Sequence, residues 1–553
     1  MRRLRLSSAA CNRAISHILI AAFCVAAWIA IRPLSSDAQQ ANPNQQPRGN
    51  LQNIFVPGGN QQNGLLGGPN GVNGPNGAAP GGNPNADFET LIDLIQSTIA
   101  TDKWVDTGGT GDIRQFASGG VLVDTAGTLR LKDRAAKTQA SDELTARRGA
   151  APPTGLSAGD PRRASGLRYI SLPRLEREIA RRQAAHEKLD SSMLTLAGLQ
   201  RVQYVFVYPE SGDLVFAGPA GDWRVDADGR IVSSNTGRPV VRLDDLLVIF
   251  RRGLAAGDSV FGCSINPRQE ALAKTQAFLD ESSRQPLQPG QRKAWLGKLR
   301  DTMGKQDIEI FGVDPSSRVA SVLVEADYHM KLIGMGLADG VEGVQSYLES
   351  ITVKNGEAPP AMSVLRWWFT LNYDTLRTSP GRDAYELVGQ GVRVLSESEL
   401  LAAQGQRVHT GQSDPLNKLF ADRFTAHFAA LADKYPIYAD LRNVFDLAMA
   451  SALIQSDDLA ARVKWQPTLL ANAEKLWLPK RTVPRQVETV INHRVIAGRH
   501  VVAGVSGGVM VAAKDVLRDG RTTDAAGKLA ESRHPAPAAE AMQPGAWWWD
   551  AGE

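Results

Sequence analysis

The chain has 553 residues, with 62 lysines and arginines against 58 aspartates and glutamates. Five of those arginines (Arg2, Arg3, Arg5, Arg13, Arg32) and one acid (Asp37) fall between Met1 and Ala38, so the remainder carries 57 of each sign. A balanced chain offers no cationic footprint for nucleic acid unless folding segregates the charges. Cys11 and Cys24 lie in the same N-terminal stretch, which leaves Cys263 with no partner for an internal disulfide.

Residues 1–38 read as a secretory leader. Arginines open it, Ile18 to Ile31 is an uninterrupted apolar run, and Ser36 and Ala38 offer small residues before a cleavage point. The run is short of the roughly 20 residues that cross a bilayer core, which argues against retention as an anchor. A lipid-anchored form would use Cys24, but Phe23 stands where such signals place a small residue. The expectation is an exported protein of the periplasm or cell envelope.

From Gln39 to Ala86 the composition is dominated by Gly, Asn, Pro and Gln, and only Arg48 is charged. Such a stretch cannot bury enough apolar surface to offset its ordering entropy, so it reads as a disordered tether. A small α+β module follows over 87–150. Phe88, Leu91, Ile92, Leu94, Ile95 and Ile99 recur at helical spacing, Gly108, Gly109 and Gly111 form a turn, and 113–116 and 120–123 are short extended pieces. Those glycines follow a helix, whereas a dinucleotide fingerprint follows a strand and opens a helix, so no nucleotide and no other cofactor is expected. The phrase Thr90 to Phe116 resembles a short module of exported planctomycete proteins, some of them secretin-like.

Residues 151–165 are a Pro, Gly and Ala-rich linker, and the main domain is expected over 166–517. Ser171 and Pro173 start a helix with Leu172, Leu175 and Ile179 on one face. Strands at 202–208, 214–217, 223–225 and 231–232, separated by turn formers, read as an antiparallel meander. Helices are predicted at 243–252, 269–282 and 291–303, strands at 308–313 and 318–325, and a helix at 328–337. Cys263, in Phe261 to Ile265, reads as a buried strand thiol rather than a nucleophile. Extended pieces at 367–371 and 384–394, long helices at 415–432 and 437–454 and a glycine-rich β segment at 487–511 complete the domain. Elements come in blocks, which favours an α+β fold with an antiparallel or mixed sheet over a doubly wound one.

Several blocks carry a resemblance: Leu167 to Ile179, Leu196 to Trp223, Val322 to Leu337, Arg366 to Tyr373, Glu386 to Val394 and Val501 to Val509. Together they resemble the planctomycete family called domain of unknown function 1598 over nearly all of Gly166 to Val511. The resemblance implies an exported planctomycete protein and carries no assigned activity or site residues.

Three groups of residues are candidates for chemistry or binding. Gly504 to Gly508 fits the G-x-S-x-G nucleophile pattern at Ser506, but that elbow needs a strand before, a helix after, and a later acid and histidine. Here 509–511 continue as a strand and His534 lies in a Pro- and Ala-rich tail, so a glycine-rich hairpin is the preferred account. Glu325 and Asp327, two apart at an expected strand end beside His329 and Lys331, could share a proton or a metal. The alternative places Asp327 as a helix cap with His329 and Lys331 on a wet face. No histidine shows metal-ligand spacing, and Asp226 with Asp228 lacks the rest of a calcium loop, so no metal is expected. Trp367 and Phe369 face one side of a strand and Trp368 the other, as core rather than sugar platform. Trp547, Trp548 and Trp549 end a tail (518–553) read as flexible, and suggest docking to a partner or membrane interface.

The sequence thus points to a non-catalytic exported envelope protein that binds a protein or polymer partner. The alternative is an extracytoplasmic hydrolase using Ser506 or the Glu325 and Asp327 pair. Membrane contact is expected only through an uncleaved leader or the tryptophan cluster.

Overall fold

The computed structural model of the chain divides into two units, residues 1–82 and 83–553. The structure describes 112–115, 121–124, 156 and 159–551, less 227, 255–259, 283, 285–290, 353–361, 477–479, 482, 497–498 and 539–544. The leader, the tether and most of the small module and second linker lie outside the described residues. Within the small module, β1 (Asp112–Gln115) and β2 (Val121–Asp124) pair antiparallel, close to the two extended pieces expected there.

From Ser165 the fold is α+β, on two mixed sheets, one seven-stranded and one eight-stranded. Ser171 ends β3 (Ser165–Ser171) and caps α1 (Leu172–Ala184), its hydroxyl accepting from the Arg174 N–H at 3.2 Å with Pro173 in the first turn. The expected meander forms in its first half, where β4 (Tyr204–Tyr208) and β5 (Asp213–Ala220) pair antiparallel. It then breaks: β6 (Trp223–Val225) and β7 (Ile231–Ser233) make a separate hairpin, because the second edge of β5 is already taken by β3.

The chain continues through α2 (Leu243–Leu254), β8 (Phe261–Pro267), α3 (Gln269–Ser282), α4 (Arg292–Met303), β9 (Lys305–Phe311) and α5 (Arg318–Gly334). Next come β10 (Met362–Asn372), β11 (Thr375–Thr378), β12 (Ala384–Val388), β13 (Gly391–Leu401) and β14 (Arg407–Val408). Helices α6 (Pro415–Ala426), α7 (Phe428–Lys434) and α8 (Pro436–Ser456) precede β15 (Gln486–Glu488), β16 (Ile491–Ile496) and β17 (Arg499–Val511). The chain closes with α9 (Ala513–Asp519), β18 (Arg521–Thr523), α10 (Lys528–Ser532) and β19 (Trp548–Asp550).

The eight-stranded sheet runs β14-β13-β10-β17-β8-β9-β15, with β16 also on β17; the seven-stranded sheet runs β18-β11-β12-β4-β5-β3-β19. One core joins inward residues of both, such as Phe216 and Tyr385 of one and Trp367 and Val505 of the other, to α8 residues including Val444 and Phe445. Helix α8 is buried for most of its length, with Asp440 and Asp446 taken up by arginines, as befits a helix at the centre of a core.

Two expectations are corrected. The stretch 318–325, read as a strand from its valines, is the first half of α5. Ser317 caps it by accepting from the Ala320 N–H at 3.2 Å, and a run that is apolar on both faces fits a buried helix as well as a strand. The tail is not free either. Residues 521–523 and 548–550 are strands of the seven-stranded sheet, on β11 and β3. Its Ala- and Pro-rich composition conceals a few well-placed anchors: Leu529, Trp547 and Trp549 are all buried.

Candidate functional site

A cluster of polar side chains surrounds Ser506 on the face of the eight-stranded sheet opposite to that of Val505 and Trp367, which belong to the central core. Glu397 and Glu399 stand two apart on β13 and so share a face. Register places Glu397 opposite Arg366 of β10, and Arg366 opposite Ser506 of β17. The segment after β14 folds back onto β13, with the Ser398 N–H donating to the Gln412 carbonyl at 2.8 Å. That return sets His409 over both carboxylates, its Nδ1 3.3 Å from Glu397 Oε2 and 3.1 Å from Glu399 Oε1.

The carboxylates are held from behind. Arg366 Nη1 donates to Glu397 Oε2 at 2.8 Å, and the Gly411 N–H donates to Glu397 Oε1 at 2.8 Å. Arg407 Nη1 lies 3.2 Å from both Glu399 Oε2 and Asn266 Oδ1. The Ser506 hydroxyl lies 3.2 Å from Glu399 Oε2 and 3.3 Å from the Leu365 carbonyl. Burial works to raise the Glu397 carboxyl, but the Gly411 N–H and Arg366 outweigh it and hold the group below its ordinary range. The side chain of Glu399 is fully buried whereas that of His409 is 48% exposed, so the cluster opens to solvent through the imidazole.

Ser506 is not a nucleophile elbow. It sits in the middle of β17 with β10 parallel on one side and β8 and β16 antiparallel on the other. A carboxylate lies between its hydroxyl and His409, the reverse of the order in which an imidazole base takes the serine proton. The glycines around it answer to packing. A Cβ on Gly507, whose φ is +139°, would come 1.6 Å from the Trp367 carbonyl oxygen, and one on Gly508 1.9 Å from that of Cys263. His534 packs its ring on Tyr169 of the other sheet at 6.1 Å.

Glu325 and Asp327 do not share a proton. Two residues apart on a helix they point to opposite faces. Glu325 pairs with Arg230, and Asp327 pairs with Lys331 at 2.6 Å with both side chains fully buried. Burial pushes the Asp327 carboxyl up against the pull of Lys331, and pushes the Lys331 ammonium down against that of Asp327. Asp327 lies inside the helix and is therefore no cap, its carboxylate is taken up by Lys331, and His329 and Lys331 are in the core, not on a wet face.

The other candidates are placed as follows. Cys263 is a buried free thiol on β8, raised far above its usual range by burial. The Asp226 carboxylate accepts from the backbone N–H groups of Asp228 and Arg230, as a turn residue. Trp367 is fully buried and donates from Nε1 to Asn417 Oδ1 at 2.5 Å. Trp368, on the other face, carries the Arg366 guanidinium 4.5 Å above its ring, so that face is not open to a sugar. Trp547 and Trp549 are 4% and 7% exposed and unavailable for docking. Two clefts of about 670 and 580 Å³ open beside Arg518 and beside Ser317, and neither is lined by Ser506 or Glu399.

Sequence reasoning singles out Ser506, passes over Glu397 and Glu399, and sets His409 aside for want of metal-ligand spacing. A usable signal exists: the same two-apart rule applied to Glu325 and Asp327 fits Glu397 and Glu399 in the strand phrase GVRVLSESELL. The family described as protein of unknown function (DUF1598) matches residues 263–347. This segment runs from β8 through α5, including Asp327 and Lys331, and stops short of β13 and β17. No curated protein and no solved structure matches the chain.

Proposed function

We propose that this is an exported planctomycete protein of the cell envelope, working as a non-catalytic binding or scaffold module for an envelope protein or polymer. The leader supports export: basic residues, the apolar run from Ile18 to Ile31 and small residues before the cleavage point stand in the secretory order. The likeness of 90–116 to a module of secretin-like exported proteins supports the same compartment.

The observation that carries the non-catalytic reading is the surroundings of Ser506. The residue is 1% exposed, its hydroxyl is engaged with Glu399 and the Leu365 carbonyl, and it is out of reach of a histidine base across the intervening carboxylate. Affinity capture with the mature protein from its own envelope extract tests the reading, with recovery of a partner that survives salt washing as the expected result. Turnover of an ester, peptide or glycan by the purified protein, abolished by Ser506→Ala, would instead establish the hydrolase.

A further inference from the structure

We propose that Glu397, Glu399 and His409 form a binding site for a divalent transition-metal ion of the zinc type, with Ser506 as a positioning residue behind it. One oxygen of each carboxylate and one imidazole nitrogen lie within 4.8 Å of one another. The His409 Nδ1 distances of 3.3 and 3.1 Å to Glu397 Oε2 and Glu399 Oε1 match the separation of neighbouring ligands in a tetrahedral zinc site, about 3.3 Å for bonds of about 2.0–2.1 Å.

A second observation points to a ligand. Glu399 is fully buried at its side chain, and its Oε1 has the His409 Nδ1 3.1 Å away but accepts no well-aligned hydrogen bond from it or from any other group. A buried carboxylate oxygen left in that state costs free energy that a cation would offset. The other oxygen, Oε2, is held by Arg407 and by the Ser506 hydroxyl, and Glu397 Oε1 is held by the Gly411 N–H. Outer partners of this kind fix the direction in which ligand oxygens point. The half-exposed imidazole leaves an entry path, and a water or a partner's ligand would supply the fourth group.

Two arginines oppose the ion. Arg407 sits on the far oxygen of Glu399, but Arg366 shares Glu397 Oε2, the atom the metal would need. Zinc therefore competes with Arg366, which gives the site a signature that a plain ion-pair cluster lacks.

Equilibrium dialysis and calorimetry of the purified full chain against Zn²⁺ alone provide the test. The expected results are equimolar binding to wild type and its loss in Glu399→Gln and in His409→Gln. Arg366→Gln should bind several-fold more tightly, and Ser506→Ala about 10-fold more weakly. His409 is half exposed, so its variant keeps the fold and circular dichroism checks this. No equimolar zinc on folded wild type, or binding that His409→Gln and Glu399→Gln leave unchanged, overturns the proposal.

Discussion

Arg318 Nη2 donates to Asp440 Oδ1 at 2.6 Å, with the two side chains 4% and 1% exposed, and so locks α5 to the central helix α8. Arg318 also pairs with Asp245 of α2, and Asp440 Oδ2 accepts from Arg230 Nη1 at 3.0 Å. Arg230 in turn pairs with Glu325. One chain of alternating charges thus joins three helices to the β6–β7 hairpin. Replacing Asp440 with alanine leaves Arg318 with Asp245 alone and Arg230 with Glu325 alone, so each buried arginine loses one of its two carboxylates; breaking a buried pair on one side costs up to about 3–5 kcal/mol. Asp440→Ala should therefore lower the urea midpoint clearly, and Asp440→Asn, which keeps an acceptor, much less. A wild-type midpoint for Asp440→Ala would mean the network contributes nothing.

The same network carries a pH dependence. Burial pushes the Asp245 carboxyl up to about 7, with Arg318 opposing and Asp244 and Asp440 adding to the rise. An acid whose folded pKa exceeds its unfolded value of about 3.9 binds its proton more tightly when folded. Its stabilising contribution is whole below about pH 4 and is lost as pH rises through about 7. Wild-type Tm should accordingly fall between about pH 5 and pH 7.5 by more than that of Asp245→Asn, whose site no longer titrates. The slope difference, not the absolute Tm, is the readout in differential scanning fluorimetry, and parallel slopes would refute the assignment.

Local patterns make much of this fold legible. Helix α3 lies where its apolar spacing places it, over 269–282, and the capping residues before α1 mark its start at Ser171. The stretch 318–325 reads as a strand because RVASVLVE is apolar on both faces, and burial from all sides erases the period that separates helix from strand. Beyond its carboxylate pair, the candidate site is illegible for a different reason. His409 reaches Glu399 only through the return of the 402–412 segment, and Ser506 lies 107 positions from Glu399 in sequence. Contacts of that kind belong to sheet register, which no local spacing encodes.

Gly334, at the end of α5, shows how closely helix and sheet approach. A Cβ there would stand 2.2 Å from Cζ3 of Trp367 and 2.8 Å from Cζ of Phe420. Trp367 is pinned by its hydrogen bond to Asn417 and cannot retreat without losing it. Overpacking of a filled core costs about 1–3 kcal/mol, so Gly334→Ala should fall in that range or above it by chemical denaturation. Adding Trp367→Phe should make the double variant less destabilised than the sum of the singles, since the smaller ring vacates the clash. Strict additivity would show that the two residues do not meet.

The C-terminal tryptophans yield a prediction opposite to that of a free docking tail. Strand β19 pairs with β3, and the Trp549 ring stacks on Tyr169 at 5.6 Å with an interplanar angle of 3°. Arg168 grips Asp550 with two bonds of 2.8 Å while its guanidinium lies 4.4 Å from the Trp548 ring centre. Removal of a buried tryptophan side chain costs about 3–5 kcal/mol, so Trp549→Ala should lower Tm sharply. Trp548→Ala, at a half-buried position, should lower it less. Deleting residues 545–553 should go further, because it bares the hydrogen-bonding edge of β3 and invites edge-to-edge association. Light scattering on the deleted protein should report oligomers, and a monomer with the wild-type Tm would restore the free tail.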